Sequence, residues 1–285
     1  MKIALLLPGF IRNDKNINDK IAFANKNKQH KIDIYSSTYS IKGLEKKEHN
    51  NPNVYLKTDT ITNKYFDKYR KNINFTVETE NYLESVNICK KYIEDNLKTC
   101  IKSKQHFWQK SNNKLKDGFT NDEDSFKRAY GQWRKVFLSY RLILDPSSYD
   151  VIIRARYDYD IQDVELDVCK NLDDNTICMK TKKKFRNVVF NNGEILKHEI
   201  YDGLAMGKPA IMEKYCSHGS EKVFNMRMNS DICESDILYE NRGASAKLSN
   251  ELFCSFLCYN YYGMKHKEVL GLSSQPIKRN NKGYK

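Results

Sequence analysis

The chain has no C-x-x-C pair, no histidine spaced to join its cysteines in a zinc motif, no membrane-length apolar run and no recognisable nucleic-acid module. Each absence removes a class. The eight cysteines are Cys89, Cys100, Cys169, Cys178, Cys216, Cys233, Cys254 and Cys258. Cys254 and Cys258 stand one helical turn apart, yet nothing close in sequence completes a metal-ligand spacing. The cysteines read as reduced, mostly buried thiols of a cytosolic protein rather than a disulfide framework. The apolar run Ile3 to Leu7 stops at Pro8-Gly9, well short of a signal-peptide core or a membrane span. The expectation is a soluble, cytoplasmic chain that touches a membrane peripherally if at all. Basic residues form no stripe interleaved with exposed aromatics, so no nucleic-acid partner is expected.

What is present is a globular composition: 285 residues, 40% hydrophobic and 30% charged. That length supports one large domain, with or without an insertion. The net charge of +13 fits an anionic partner, such as a nucleotide or a membrane surface, or simply a solvated basic surface. Lysines are spread along the chain; the one tight run is Lys180 to Arg186.

Ile3 to Leu7 has the continuous apolar pattern of a buried, parallel strand. A polar helix follows, to about Lys28, and then a second strand, Lys31 to Ser36, ending in Ser36-Ser37-Thr38. This strand–helix–strand opening predicts α/β architecture with ligands beyond the strand C-termini. Val77 to Lys102 reads as helical, and residues 60–124 as a helical insertion. Phe126 to Leu144 carries an apolar stripe at helical spacing through Tyr130, Trp133, Phe137 and Tyr140. Gln132, Lys135 and Ser139 fall on another flank. Asn175 to Lys180 and Arg186 to Phe190 read as strands, Gly193 to Gly207 as a loop, Pro209 to Tyr215 and Leu248 to Tyr262 as helices, and Val269 to Gly271 as a last short strand.

The stretch Ser148 to Asp160 organises the rest. In extended chain, alternate side chains share a face. Val151, Ile153, Ala155, Tyr157 and Tyr159 therefore form an apolar face. The opposite face runs Ile152, Arg154, Arg156, Asp158, Asp160. Two carboxylates at a strand end supply hard oxygens for Mg²⁺ or Mn²⁺; a surface turn with paired acids is the alternative. Arg154 and Arg156 could clamp phosphate or pair with those carboxylates. His218 is a candidate third metal ligand or an ordinary helix-end histidine.

Several motifs in order resemble the GT-A-type glycosyltransferases of surface-polysaccharide clusters and large DNA viruses. They are Ala4 to Arg12, Asp33 to Tyr39, the Gln132 to Tyr140 helix running into Tyr149 to Asp158, then Tyr201 to Gly207, and Asn250 to Phe253. The resemblance implies a GT-A-like (Rossmann-like) fold: a mixed, mostly parallel sheet flanked by helices, in one domain over 1–270; the polar, basic composition of the end reads as a flexible tail over 271–285. It also implies transfer of a sugar from a nucleotide-sugar donor, UDP-sugar favoured, to a glycan or other hydroxyl acceptor. By position, Pro8, Gly9, Arg12, Ser36, Ser37 and Thr38 would border the nucleotide. Gln132 and Lys135 would face the donor phosphates, with Arg154 and Arg156 nearby. Asp158 and Asp160 would hold the metal or the donor ribose. Asp202 is the first choice of catalytic base and Glu251 the second. Pro8-Gly9 stands where that group often has Ser-Gly. Two other readings remain: a nucleic-acid-binding or nuclease-like metal protein, and an inactive sugar-binding relative.

Overall fold

The structure, a computed structural model, describes residues 1–11, 14–42, 59–71, 73–82, 84–85, 87–89, 91, 130–181, 200–224 and 254–269. Its centre is a seven-stranded sheet. In chain order its strands are β1 (Lys2–Leu6), β2 (Lys31–Tyr39), β5 (Phe75–Glu80), β6 (Val151–Ala155), β7 (Thr176–Thr181), β8 (Ile200–Gly207) and β9 (Lys265–Glu268). A separate two-stranded ribbon pairs β3 (Ile41–Lys42) with β4 (Asp59–Thr60). The helices used below are α1 (Asp14–Lys26), α2 (Asp67–Arg70), α3 (130–141) and α4 (Pro209–Cys216).

The spatial order is β5-β2-β1-β6-β8-β7-β9. β8 runs antiparallel to both neighbours, and the other pairings are parallel. The architecture is therefore mixed α/β with a mostly parallel sheet, consistent with a Rossmann-like fold. From β1 the chain steps outward to β2 and β5, then returns to lay β6 against the other edge of β1. That reversal makes β1/β6 a topological switch, where an open α/β sheet leaves a crevice beyond its strand C-termini.

Period-two alternation sorts the side chains into two cores. Ile3, Leu5, Ile34, Val151, Ile153, Ala155, Tyr157 and Tyr159 pack on one face with Ile17 and Phe23 of α1. Ala4, Leu6, Tyr35 and Ile152 pack on the other with Trp133 and Val136 of α3 and Ile211, Met212 and Tyr215 of α4. Each fully buried aliphatic contributes roughly 1.5–3 kcal/mol, which makes both faces costly to expose. The apolar face read for Val151, Ile153, Ala155, Tyr157 and Tyr159 is thus found together in one core, but the opposite face is not kept past Arg154, because the strand ends at Ala155.

Four local readings are corrected. Phe75–Glu80 is not helix within an insertion but the edge strand beside β2; Thr76, Val77 and Thr79 suit a pleated ribbon. Ile200–Gly207 is the antiparallel strand β8, not a loop. Its glycines serve close approach rather than a turn: a Cβ on Gly203 would lie 2.3 Å from the Tyr159 ring, and one on Gly207 2.3 Å from Ile211. The last strand is Lys265–Glu268, just before the expected position. On α3 the buried stripe is Tyr130, Trp133, Val136 and Tyr140, and Leu144, beyond the helix end, is 99% exposed. The expected strand over 186–190, the tail over 271–285 and most of the 60–124 segment lie outside the described residues.

Candidate functional site at the strand switch

Three segments meet at the C-terminal ends of β1, β2 and β6. The first is the turn after β1. Gly9 adopts φ +98, a left-handed conformation in which glycine avoids the strain of other residues. Its amide donates to the Ser37 carbonyl at 3.0 Å, and its own carbonyl accepts from Thr38 Oγ1 at 2.8 Å. Pro8 and Gly9 are thereby fastened to the end of β2. Arg12 lies outside the described residues.

The second segment is Ser36-Ser37-Thr38, fully buried and within β2 rather than past it. Ser36 Oγ donates to the Leu7 carbonyl at 2.7 Å. Its one proton being used, it accepts from Tyr157 Oη, also at 2.7 Å. The Ser37 amide donates to Ser139 Oγ at 2.8 Å. These hydroxyls knit β1, β2, α3 and the segment after β6 together.

The third segment is Arg156-Tyr157-Asp158-Tyr159-Asp160. The strand ends at Ala155, and the chain turns so that the Tyr159 amide reaches the Arg156 carbonyl at 3.3 Å. This separates the two arginines. Arg156 grips Asp158 through two parallel bonds, Nε to Oδ1 and Nη2 to Oδ2, each 2.9 Å. Its guanidinium also lies 5.1 Å from the centre of the Tyr159 ring. Such a fork is the strongest and most directional form of this pair. Arg154 instead points to the opposite face, fully buried, 5.7 Å from the Trp133 ring. Of the two roles considered for the arginines, pairing with a carboxylate is what Arg156 does. Asp160 is partly buried, and its Oδ1 accepts from the Gln162 amide at 3.0 Å.

Lys20 of α1 is the residue that sequence reasoning missed. It is fully buried, and its Nζ donates to the Tyr159 carbonyl, between the two aspartates. Burial pushes its pKa down to about 8, while Asp19, Asp160 and Asp158 pull it back up. The signal available was weak: one lysine among many on a polar helix, with only its spacing from Ile17 and Phe23 to place it inward.

Other expected members stand elsewhere. Lys135 is fully buried, and its Nζ is occupied by Glu80 Oε2 at 2.7 Å, the Thr38 carbonyl at 3.1 Å and Ser37 Oγ at 3.3 Å. Arg134 meets the same Glu80 oxygen at 2.6 Å. Lys135 therefore ties α3 to β2 and β5. Gln132 is partly buried on α3. The ligand atoms of His218 group with the thiols of Cys254 and Cys258, not with Asp158 and Asp160. His218 packs against Trp133 instead, with ring centres 5.0 Å apart, because the single turn after α4 folds back onto α3. Asp202 falls on β8, directly before Gly203, whose carbonyl accepts from the Arg156 amide at 2.9 Å. β8 runs antiparallel to β6, so its first residues lie at the end of β6 where the Asp158–Asp160 turn begins. Glu251 lies outside the described residues.

The assembled side chains are two carboxylates, Asp158 and Asp160, against two cations, Arg156 and Lys20. Carboxylate oxygens are the ligand type that a hard divalent cation takes. No protein-family model matches the chain, and neither does any curated protein.

Proposed function

We propose that the chain is a metal-assisted glycosyltransferase that moves a sugar from a nucleotide-diphosphate sugar, UDP-sugar favoured, to a glycan or other hydroxyl acceptor. The observation that carries the reading is the meeting, at the β1/β6 switch, of the Pro8-Gly9 turn, the Ser36–Thr38 end of β2 and the Arg156–Asp158–Asp160 turn. A switch crevice is where an open α/β sheet takes a nucleotide. The mixed sheet with one antiparallel strand is also the architecture that the glycosyltransferase resemblance implies.

In this reading Asp158 and Asp160 hold Mn²⁺ or Mg²⁺, which supplies charge stabilisation for the departing diphosphate. Arg156 fixes the Asp158 carboxylate, and Lys20 fixes the backbone between the two acids. Such preorganisation matters because groups already aimed at developing charge need not reorganise during the reaction. The four charges sum to zero, so a metal–diphosphate, itself close to neutral, enters without burying net charge. Asp202 is the carboxylate proposed to take the acceptor proton.

The test is a thermal-shift screen with UDP-, GDP- and dTDP-sugars, with and without Mn²⁺, on the wild type and on Asp158→Ala and Asp160→Ala. Stabilisation by one nucleotide that needs the metal and vanishes in both variants is the expected result. Unchanged binding in the variants, or a response to DNA or RNA alone, refutes the reading.

A further inference from the structure

A second constellation lies on the other core face and belongs to different chemistry. Cys254 and Cys258 sit one turn apart where the chain widens into a π-helical turn, Phe256–Tyr261. Turns of that kind recur at functional positions. Their sulfurs are 4.0 Å apart. The side chain of His218 converges on them from the turn after α4, and the ligand atoms of all three lie within 4.8 Å of one another. All three residues are buried.

We propose that His218, Cys254 and Cys258 form a buried imidazole–dithiolate site for a soft divalent cation, Zn²⁺ in the first place. Tetrahedral zinc with Zn–S bonds near 2.3 Å sets its ligand sulfurs about 3.8 Å apart, so the cysteine pair needs almost no adjustment. A disulfide would require a far closer approach of the two sulfurs. Two thiolates neutralise the dication, which removes the penalty for burying its charge. Sulfur and imidazole also select zinc over the magnesium or manganese that Asp158 and Asp160 suit.

Two further observations favour a built site. The imidazole plane is set by aromatic walls: Trp133 stacks on it at 5.0 Å and 28°, and Tyr215 and Tyr262 flank it at 5.6 and 6.4 Å. Gly219 lets this turn press on α3, since a Cβ there would lie 1.8 Å from the Trp133 carbonyl oxygen. Arg154 is the second observation. It is fully buried beneath Trp133, and its Nε, Nη1 and Nη2 have no hydrogen-bond partner among the described residues. A buried cation calls for an anion nearby. Arg154 and His218 lie against the same Trp133 ring, so the two thiolates bring anionic ligands to the core face that holds this guanidinium. Cys216 lies outside the 4.8 Å group, so the inference rests on the three residues alone.

The experiment uses the full chain, purified without chelator from zinc-supplemented culture. Elemental analysis should find about one zinc per chain. Exchange with Co²⁺ should give a thiolate-to-cobalt charge-transfer band with tetrahedral ligand-field absorption. Both signals should persist in Asp158→Ala/Asp160→Ala, which separates this site from the donor site. Zinc should fall below about a tenth of the wild-type content in Cys254→Ser/Cys258→Ser. Because that variant could fail to fold, the wild type should also release its zinc in step with titration of its thiols by a mercurial. A wild type that carries no zinc and shows no cobalt–thiolate band after reduction and reconstitution overturns the proposal, leaving an ordinary pair of reduced thiols.

Discussion

Glu80→Gln tests whether Lys135 is a tie within the fold. Glu80 Oε2 receives Arg134 Nη1 at 2.6 Å and Lys135 Nζ at 2.7 Å, and Lys135 is fully buried. Removing the carboxylate's charge leaves the buried ammonium with uncharged acceptors, the substituted amide oxygen, the Thr38 carbonyl and Ser37 Oγ, and with the Tyr39 ring at 4.5 Å. Breaking a buried pair in this way costs about 3–5 kcal/mol. The low end applies because those polar neighbours remain, which for a chain of this size amounts to a fall in Tm of roughly 6–12 °C. The pH dependence gives an independent measure. Burial pushes the Glu80 carboxyl up, but the bonds from Arg134 and Lys135 more than offset it and bring the pKa down from 4.5 to about 2. A depressed carboxylate contributes stability above its unfolded pKa and loses it as pH falls through the folded one. The wild type should therefore lose on the order of 2–3 kcal/mol between pH 4.5 and 2, after allowance for the solvent that still reaches Glu80. The variant should lack that limb. Urea unfolding at pH 7 and pH 3, read with the slope held common, measures both quantities. A variant within about 0.5 kcal/mol of the wild type and with the same acid limb would show that Glu80 and Lys135 do not anchor α3.

Three further outcomes are expected. Gly203→Ala drives a methyl into the Tyr159 ring; it should cost roughly 1–3 kcal/mol in urea unfolding and weaken Mn²⁺-dependent donor binding by displacing the Asp158–Asp160 turn. Lys20 is neutralised in the fold at about pH 8, below its unfolded value. The unfolded state then binds more protons between pH 8 and 10.5, so wild-type stability should rise across that window by on the order of 2–3 kcal/mol, and Lys20→Met should abolish the slope. Asp202→Asn should keep donor affinity while losing roughly 100-fold or more in turnover, and full activity in that variant removes Asp202 as the base.

Misreadings along the chain share one cause. Glycine and polar residues carry a local meaning in the sequence, whereas contacts distant in sequence set their place in the fold. Gly203 and Gly207 look like loop punctuation, yet each makes room for a side chain from another segment, Tyr159 and Ile211. Phe75–Glu80 sits within polar sequence and becomes a strand through its pairing with β2. His218 and Lys135 carry chemistry that sequence alone directed toward the phosphates and the metal. Burial against Trp133 and Glu80 directs them elsewhere.

The sequence by itself determined the apolar runs of β1, β2 and β6, the helical stripe entering β6, and the shared apolar face of Val151, Ile153, Ala155, Tyr157 and Tyr159. Those features follow from local periodicity, which acts within a few residues. The tertiary structure alone decided which charges meet. Arg154 and Arg156, two residues apart, part company because the strand stops at Ala155 and the chain turns: Arg154 is buried against Trp133, and Arg156 stays half-buried on Asp158. Lys20 reaches Tyr159, and His218 reaches Cys254 and Cys258, because the sheet order and the packing of α1, α3 and α4 close those distances. A pairing made across the fold leaves no period in the chain, and burial then fixes its partners by making every unpaired charge costly.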